Sequence, residues 1–312
     1  MTVAMGAIVV RFGLYVALML LFGLACFGLY ALRGEERRFG ATMRFTPLLA
    51  GSAIAAEVLS TLGLLTLAAS MAGVSLVALD RQTVAIVLGT AAGVAWKVRT
   101  AAILVAALVP LAGRRYPYRA LVAVAIAAGT ATATLAWTGH GAMDEGAAGW
   151  VHLLADILHL LAAGVWLGAL VALVLLAFRN AERADRDHVV RLHRVLRGFS
   201  TVGTAIVAII VISGLINSWM LVGLANVTQL PFGLYGQLLI AKLVLFSAMV
   251  VLAAANRFHL TPALATAIVD DDHPRAIVSL RRSLAFETAC AIAILGLVAW
   301  LGTLEPPGAA MG

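Results

Sequence analysis

The chain is poor in charge. Only 12% of its 312 residues are Asp, Glu, Lys or Arg, about half the share of a soluble domain. That scarcity excludes a solvated globular enzyme, a basic nucleic-acid-binding stripe and a disordered tail. Cysteine is scarcer still: Cys26 and Cys290 make neither a disulfide framework nor a paired metal motif. No phosphate-binding P-loop occurs, which argues against direct use of ATP and against an enzyme of that kind. What the chain has instead is apolar residues, 62% of the total, with a mean hydropathy of +1.01. They fall in runs long enough to cross a bilayer core of about 30 Å. The first run, 3 to 32, lacks the short basic head and cleavage pattern of a signal peptide and reads as a span.

The runs predict an all-α, polytopic helix bundle of about eight transmembrane helices, near 4–32, 46–71, 83–111, 119–139, 150–178, 198–224, 235–257 and 283–303. Lys97 and Arg99 interrupt the third, which is expected to divide into an outer amphipathic piece and a shorter span. Seventeen of the 22 basic residues fall in alternate loops, those after the first, third, fifth and seventh spans. The other loops and the termini hold only Arg81, so both termini should face outward, into the periplasm in a bacterial cell. No composition shift marks a second domain, and residues 1–312 read as one integral membrane domain. The longer inner loops, 179–197 and 258–282, mix charges and read as solvated connectors; Asp270, Asp271 and Asp272 read as a solubilising loop tip.

Ionisable groups inside a span are functional candidates by default, because a bilayer tolerates them only when they pair, line a wet cavity or sit near an interface. The fifth span is the richest. Steps of four, seven and fourteen residues return to within about 40° on a helix of 3.6 residues per turn, so His152, Asp156, His159 and Trp166 form one stripe. Counted from residue 150, Asp156 lies about 9 Å and His159 about 13 Å down. The two imidazoles are too far apart to share one ion. Asp156, between them, can orient either ring. His140, Met143, Asp144 and Glu145 precede the stripe, and Asn217, Trp219 and Met220 should lie near the outer end of the sixth span. Imidazole with thioether suits copper, Cu(I) or Cu(II), more than calcium or magnesium. Taken singly, His140, His152 and Met220 are as easily loop, interfacial or core residues.

Depth counting places Arg11 and Lys242 at the level of Asp156 and pairs Lys242 with it. Glu57 reaches mid-membrane, where it carries a proton, meets a cation or pairs with Arg99 or Lys97. Cys26 and Cys290 fall in the inner halves of their spans and read as small core residues before a soft exit site.

The stretch Gly139, His140, His152, Asp156, His159, Trp166 and Gly168 resembles the CopD family of bacterial copper-resistance and copper-homeostasis inner-membrane proteins. A second block, Tyr235, Gly236, Gln237, Lys242, Asn256, Arg257, Phe258, Thr261 and Pro262, resembles that family's penultimate helix, so the most specific regions are 139–168 and 235–262. The resemblance implies movement of copper across the inner membrane, periplasm to cytoplasm, beside a small periplasmic copper-binding protein of the CopC type. No such domain is recognisable within these residues, so that partner is expected as a separate chain. One position departs from the expected pattern: Gly141 stands where Ala is usual. Together these readings give a path with access through His140, Met143 and His152, a deeper station at His159, and Trp166 closing the cavity on its inner side. Two rivals remain from the residues alone: a haem-binding membrane redox protein, and a metal-binding scaffold or sensor without transport.

Overall fold

The structure is a computed structural model that describes residues 2–37, 45–112, 116–138, 146–179, 186–270 and 274–307. His140, Met143, Asp144, Glu145, Asp271 and Asp272 lie outside them. The described residues are helical, with no strand among them: α1 (Thr2–Tyr30), α2 (Phe45–Ala72), α3 (Arg81–Leu88), α4 (Ala91–Ala112), α5 (Pro117–Ala133), α6 (Gly146–Phe178), α7 (Arg186–Val222), α8 (Leu234–Ala255), α9 (Thr261–Val269) and α10 (Pro274–Leu301). Eight helices are long and apolar enough to cross a membrane, the number read from the sequence. The third region divides as expected, into α3, capped by Asp80 accepting from the Thr83 N–H at 2.7 Å, and the spanning α4.

The start of α1 and the end of α10 meet, because the Arg11 guanidinium donates to the Gly302 carbonyl. Both termini therefore lie on one face, the terminal face. At the other ends of α1 and α6, Arg37, Arg191, Arg194 and Arg281 gather on the opposite, basic face.

On that basic face the sequence expectation needs correction, since the stretches read as solvated connectors are largely helical. α7 begins at Arg186 and runs 37 residues, about 55 Å and well beyond the bilayer core. Apolar residues account for the extension. Val189, Leu192, Val195 and Leu196 are buried at helical spacing among the charges, as are Leu264 in α9 and Ile277 and Leu280 in α10. They extend the core past the membrane. The arginines satisfy helix C-termini whose last carbonyls have no partner within the helix: Arg37 donates to Leu29 O at 3.1 Å and Arg281 to Ala177 O at 2.7 Å. Arg194 reaches Glu36 at 2.5 Å and 2.7 Å, with Arg191 3.4 Å away.

Inside the membrane, α1 is the central column, packed on α2, α5, α6 and α10. It crosses α6 where glycines meet: a Cβ on Gly23 would overlap the Gly164 carbonyl and the Gly168 backbone, and a Cβ on Gly168 would overlap Gly23. Small residues let two helices approach in lipid, where dispersion rather than water exclusion holds them together. Farther along, α7 packs on α6 and α8 packs on α10, while α7 and α8 hardly touch.

Arg99 and Lys97 find different places. Arg99 is buried on α4; its Nε donates to Thr134 Oγ1 at 2.8 Å, and its Nη atoms reach Thr134 O at 3.3 Å and Ser60 Oγ at 3.4 Å. Thr134 ends α5, where the helix tightens to a 3₁₀ turn, so Arg99 supplies donors to that helix end. Lys97 is exposed, about one turn and a half into α4, where a long lysine stem can carry its ammonium to the interface.

Gly168→Ala should lower stability by about 1–3 kcal/mol, the usual cost of overpacking, as measured by unfolding in mixed micelles. Gly51→Ala, where a Cβ meets open space, should change it little. Equal stabilities would contradict the crossing. A second expectation concerns Glu36. Burial works against its charge, but the Arg194 hydrogen bonds, the Arg33 N–H and the charges of Arg194 and Arg191 outweigh it and hold the carboxyl below its ordinary range. Its contribution is therefore full above the unfolded carboxylate pKa and is lost as pH falls through the lower folded value. Glu36→Gln should flatten this acid limb of the pH–stability curve and cost about 0.2–1 kcal/mol at neutral pH. An unchanged acid limb would exclude the clamp.

Candidate ion path

The stripe read from the sequence is carried by α6, an uninterrupted helix of 33 residues without proline. His152 is buried near the terminal face, and Trp166 is buried two turns beyond His159. Three cavities lie along this stripe. The first, of about 310 Å³, opens among Arg11, Tyr15, His152, Asp156, Asn217 and Lys242. His159, Met19 and Lys242 also line the second, of about 330 Å³. Trp166 lines that second cavity and a third of about 600 Å³, which continues toward the basic face past Asn256 and Glu287. The gap between α7 and α8 provides the room for the last two.

Within the first cavity, Asp156 accepts from Asn217 Nδ2 at 3.4 Å and lies within the electrostatic reach of His152 and Lys242. The expected neighbours are thus brought together, Lys242 acting through its field across the cavity. Asn217 Oδ1 is buried without a hydrogen-bond partner and remains an open acceptor.

His159 Nδ1 lies 3.0 Å from Ser213 Oγ, and that hydroxyl also reaches the Ile209 carbonyl at 2.6 Å. When the hydroxyl proton is on Ile209, Ser213 Oγ accepts from Nδ1 and the Nε2 lone pair is bare, the tautomer that a metal-ligating imidazole requires. The Met19 thioether lines the same two cavities as His159, pairing a nitrogen with a soft sulfur donor.

Other sites differ from the sequence reading. Met220 is half-buried and does not line these cavities; Asn217 and Leu221, four residues apart, take the cavity-facing row of α7. Glu57 faces α4, where Oε1 accepts from Thr100 at 3.0 Å and Thr61 at 3.4 Å, and it too stands away from the cavities. Cys26 and Cys290 are free, half-buried thiols packed against the core. Trp166 does more than pack: its Nε1 donates to Glu287 Oε1 at 2.9 Å, and its ring meets Phe246 edge-on at 6.1 Å. Sequence reasoning passed over Tyr15 and Met19, although Arg11, Tyr15 and Met19 repeat at four-residue steps and form their own stripe on α1. It also passed over Glu287, an acidic residue inside the last span. Among the described residues, no group of three or more His, Cys, Asp or Glu is gathered closely enough to hold a metal ion. The path offers donors in ones and twos.

Residues 1–150 match the family model described as copper resistance protein D-like, N-terminal domain, and residues 193–301 match that of copper resistance protein D. Copper resistance protein D of Pseudomonas syringae pv. tomato is 46% identical over 96% of both chains. Inner membrane protein YebZ of Escherichia coli is 30% identical over 55% of each chain. Copper transport protein CutJ of Bacillus subtilis is 32% identical over 55% of this chain and 28% of its own. No solved structure matches. With eight apolar helices and these relatives, the chain belongs to the copper resistance protein D family of multi-pass inner-membrane proteins.

Proposed function

We propose that this protein carries copper ions across the inner membrane, from periplasm to cytoplasm, along the α6 stripe. The observation that carries this reading is the succession of three cavities joined by stripe residues, His159 between the first two and Trp166 between the last two. The charge asymmetry of the loops supports a periplasmic terminal face. A separate CopC-type copper-binding protein would deliver the ion there, with His140 and Met143, which precede α6 in the sequence, as candidate first contacts.

From His152 the ion passes Asp156, whose carboxylate offsets the repulsion of Lys242, and reaches His159 Nε2 and the Met19 sulfur. Nitrogen and thioether donors in small number hold copper weakly enough to release it, which conduction requires. The inside-negative membrane potential favours inward movement of a cation. A haem site is less well matched, because His152 and His159 project from one helix face whereas haem takes ligands from opposite sides.

Purified protein in proteoliposomes, with an internal copper indicator, tests the reading. His159→Ala should reduce saturable uptake at least ten-fold. His152→Ala should weaken it less, and Ser213→Ala, which frees the imidazole tautomer, by a few-fold. Copper that binds but never crosses in an oriented sample would replace the carrier with a scaffold or sensor.

A further inference from the structure

The third cavity holds a carboxyl group that neither the His–Met path nor the packing accounts for. Glu287 sits in α10 with 1% of its surface exposed. Its two oxygens accept only from neutral donors, Trp166 Nε1 at 2.9 Å on Oε1 and Asn256 Nδ2 at 2.9 Å on Oε2. Among the described residues no cationic side chain pairs with it. Arg257 lines the same cavity, but its guanidinium is bonded to the Ser200 carbonyl and the Thr204 hydroxyl of α7. A carboxylate in a bilayer interior without a cation is costly.

Apart from Arg257, the residues lining this cavity carry no cation, and oxygen acceptors stand near the carboxyl group. Asn256, which is 8% exposed and lines the cavity, leaves its Oδ1 buried without a partner. One turn before Glu287 in α10, the buried Ser283 Oγ is also unpartnered. Asn256 opens a π-helical turn over Asn256–Leu260, an irregularity that proteins tend to keep at functional sites. The turn sets the Asn256 amide against α10 while the helix continues to the basic face.

We propose that Glu287 and Asn256 form a second cation station, made of oxygen donors, on the basic-face side of Trp166. It takes the carried copper ion after His159 releases it. This rests on the copper path proposed above and supplies its exit half. Trp166 becomes the partition between a nitrogen–sulfur station and an oxygen station. Its ring lines both cavities, and its N–H is fixed by the same carboxylate that receives the ion. The oxygen donors are hard where copper prefers softer ones, and Arg257 stands at the mouth, so residence is brief and release is directed toward the basic face.

The full-length protein in lipid nanodiscs, titrated with cupric ion and separately with cuprous ion under reductant, tests the station, together with uptake in proteoliposomes. Gln at position 287 can still accept the Trp166 N–H, so Glu287→Gln removes the charge and keeps the fold. It should bind one ion fewer than wild type, leave the His159-dependent ion in place and slow uptake at least ten-fold. Glu287→Asp, which retains the charge, should recover part of both. Asn256→Leu, which removes Oδ1, should weaken the second ion several-fold if Glu287→Gln proves unstable. Unchanged stoichiometry and uptake in Glu287→Gln would overturn the station and leave Glu287 as a latch for Trp166 only. A loss in Glu287→Gln that Glu287→Asp does not relieve would overturn it as well. Wild-type binding that His159→Ala leaves intact, or no binding at all, would contradict the copper path itself and with it the exit station.

Discussion

A bilayer offers no water to an ionisable side chain, so each such group in a span must be met by another part of the protein or by a wet cavity. This constraint divides the polar residues of the membrane region into two sets. Arg99 makes three hydrogen bonds, to the end of α5 and to Ser60, and forms a structural joint away from the cavities. Asp156, His159, Lys242 and Glu287 are met incompletely and line open volume. The incomplete set follows the three cavities, and the proposed ion path rests on that succession.

That succession depends on two features of helix packing. The glycine crossing of α1 and α6 brings α1 close enough for Tyr15 and Met19 to face the stripe. The separation of α7 from α8 leaves the space that the stripe lines. Between the second and third cavities, Trp166 is held by Glu287 and Phe246. Tight packing on one side of α6 thus coexists with a gap on the other, and the polar residues sit at the border.

The eight spans and the α6 stripe were legible in the sequence because both depend on local rules, a run length and a helical period. The division of the third span was legible as well, although the break falls at Gly89 and Thr90, before Lys97 and Arg99, both of which lie within α4. The basic-face extensions were not, since Val189, Leu192, Val195 and Leu196 are diluted by arginines and only the packed neighbours show which face is buried. Met19 was hidden because a methionine in an apolar run carries no mark of the cavity it lines, whose residues on other helices lie more than a hundred residues away. Met220 was chosen by depth alone, and it does not line the three cavities; depth fixes the level of a residue but not its azimuth. Glu287 was visible as an acidic residue in a span, and its position beside Trp166 and Asn256 needed the fold.

The central claim is that one face of α6 is wet across the membrane while the opposite face meets lipid. Cysteine accessibility measures this directly. In a background with Cys26→Ser and Cys290→Ser, single replacements His152→Cys, Asp156→Cys and His159→Cys would be compared with Leu154→Cys and Leu158→Cys, whose native side chains face outward. A membrane-impermeant thiol reagent and silver ion, a soft monovalent analogue of cuprous copper, would be applied from the terminal face. A continuous wet stripe gives rapid silver reaction at 152, 156 and 159, slow reaction at 154 and 158, and protection of the stripe by copper. Equal reaction on both faces, or none at 156 and 159, would contradict a path along this helix.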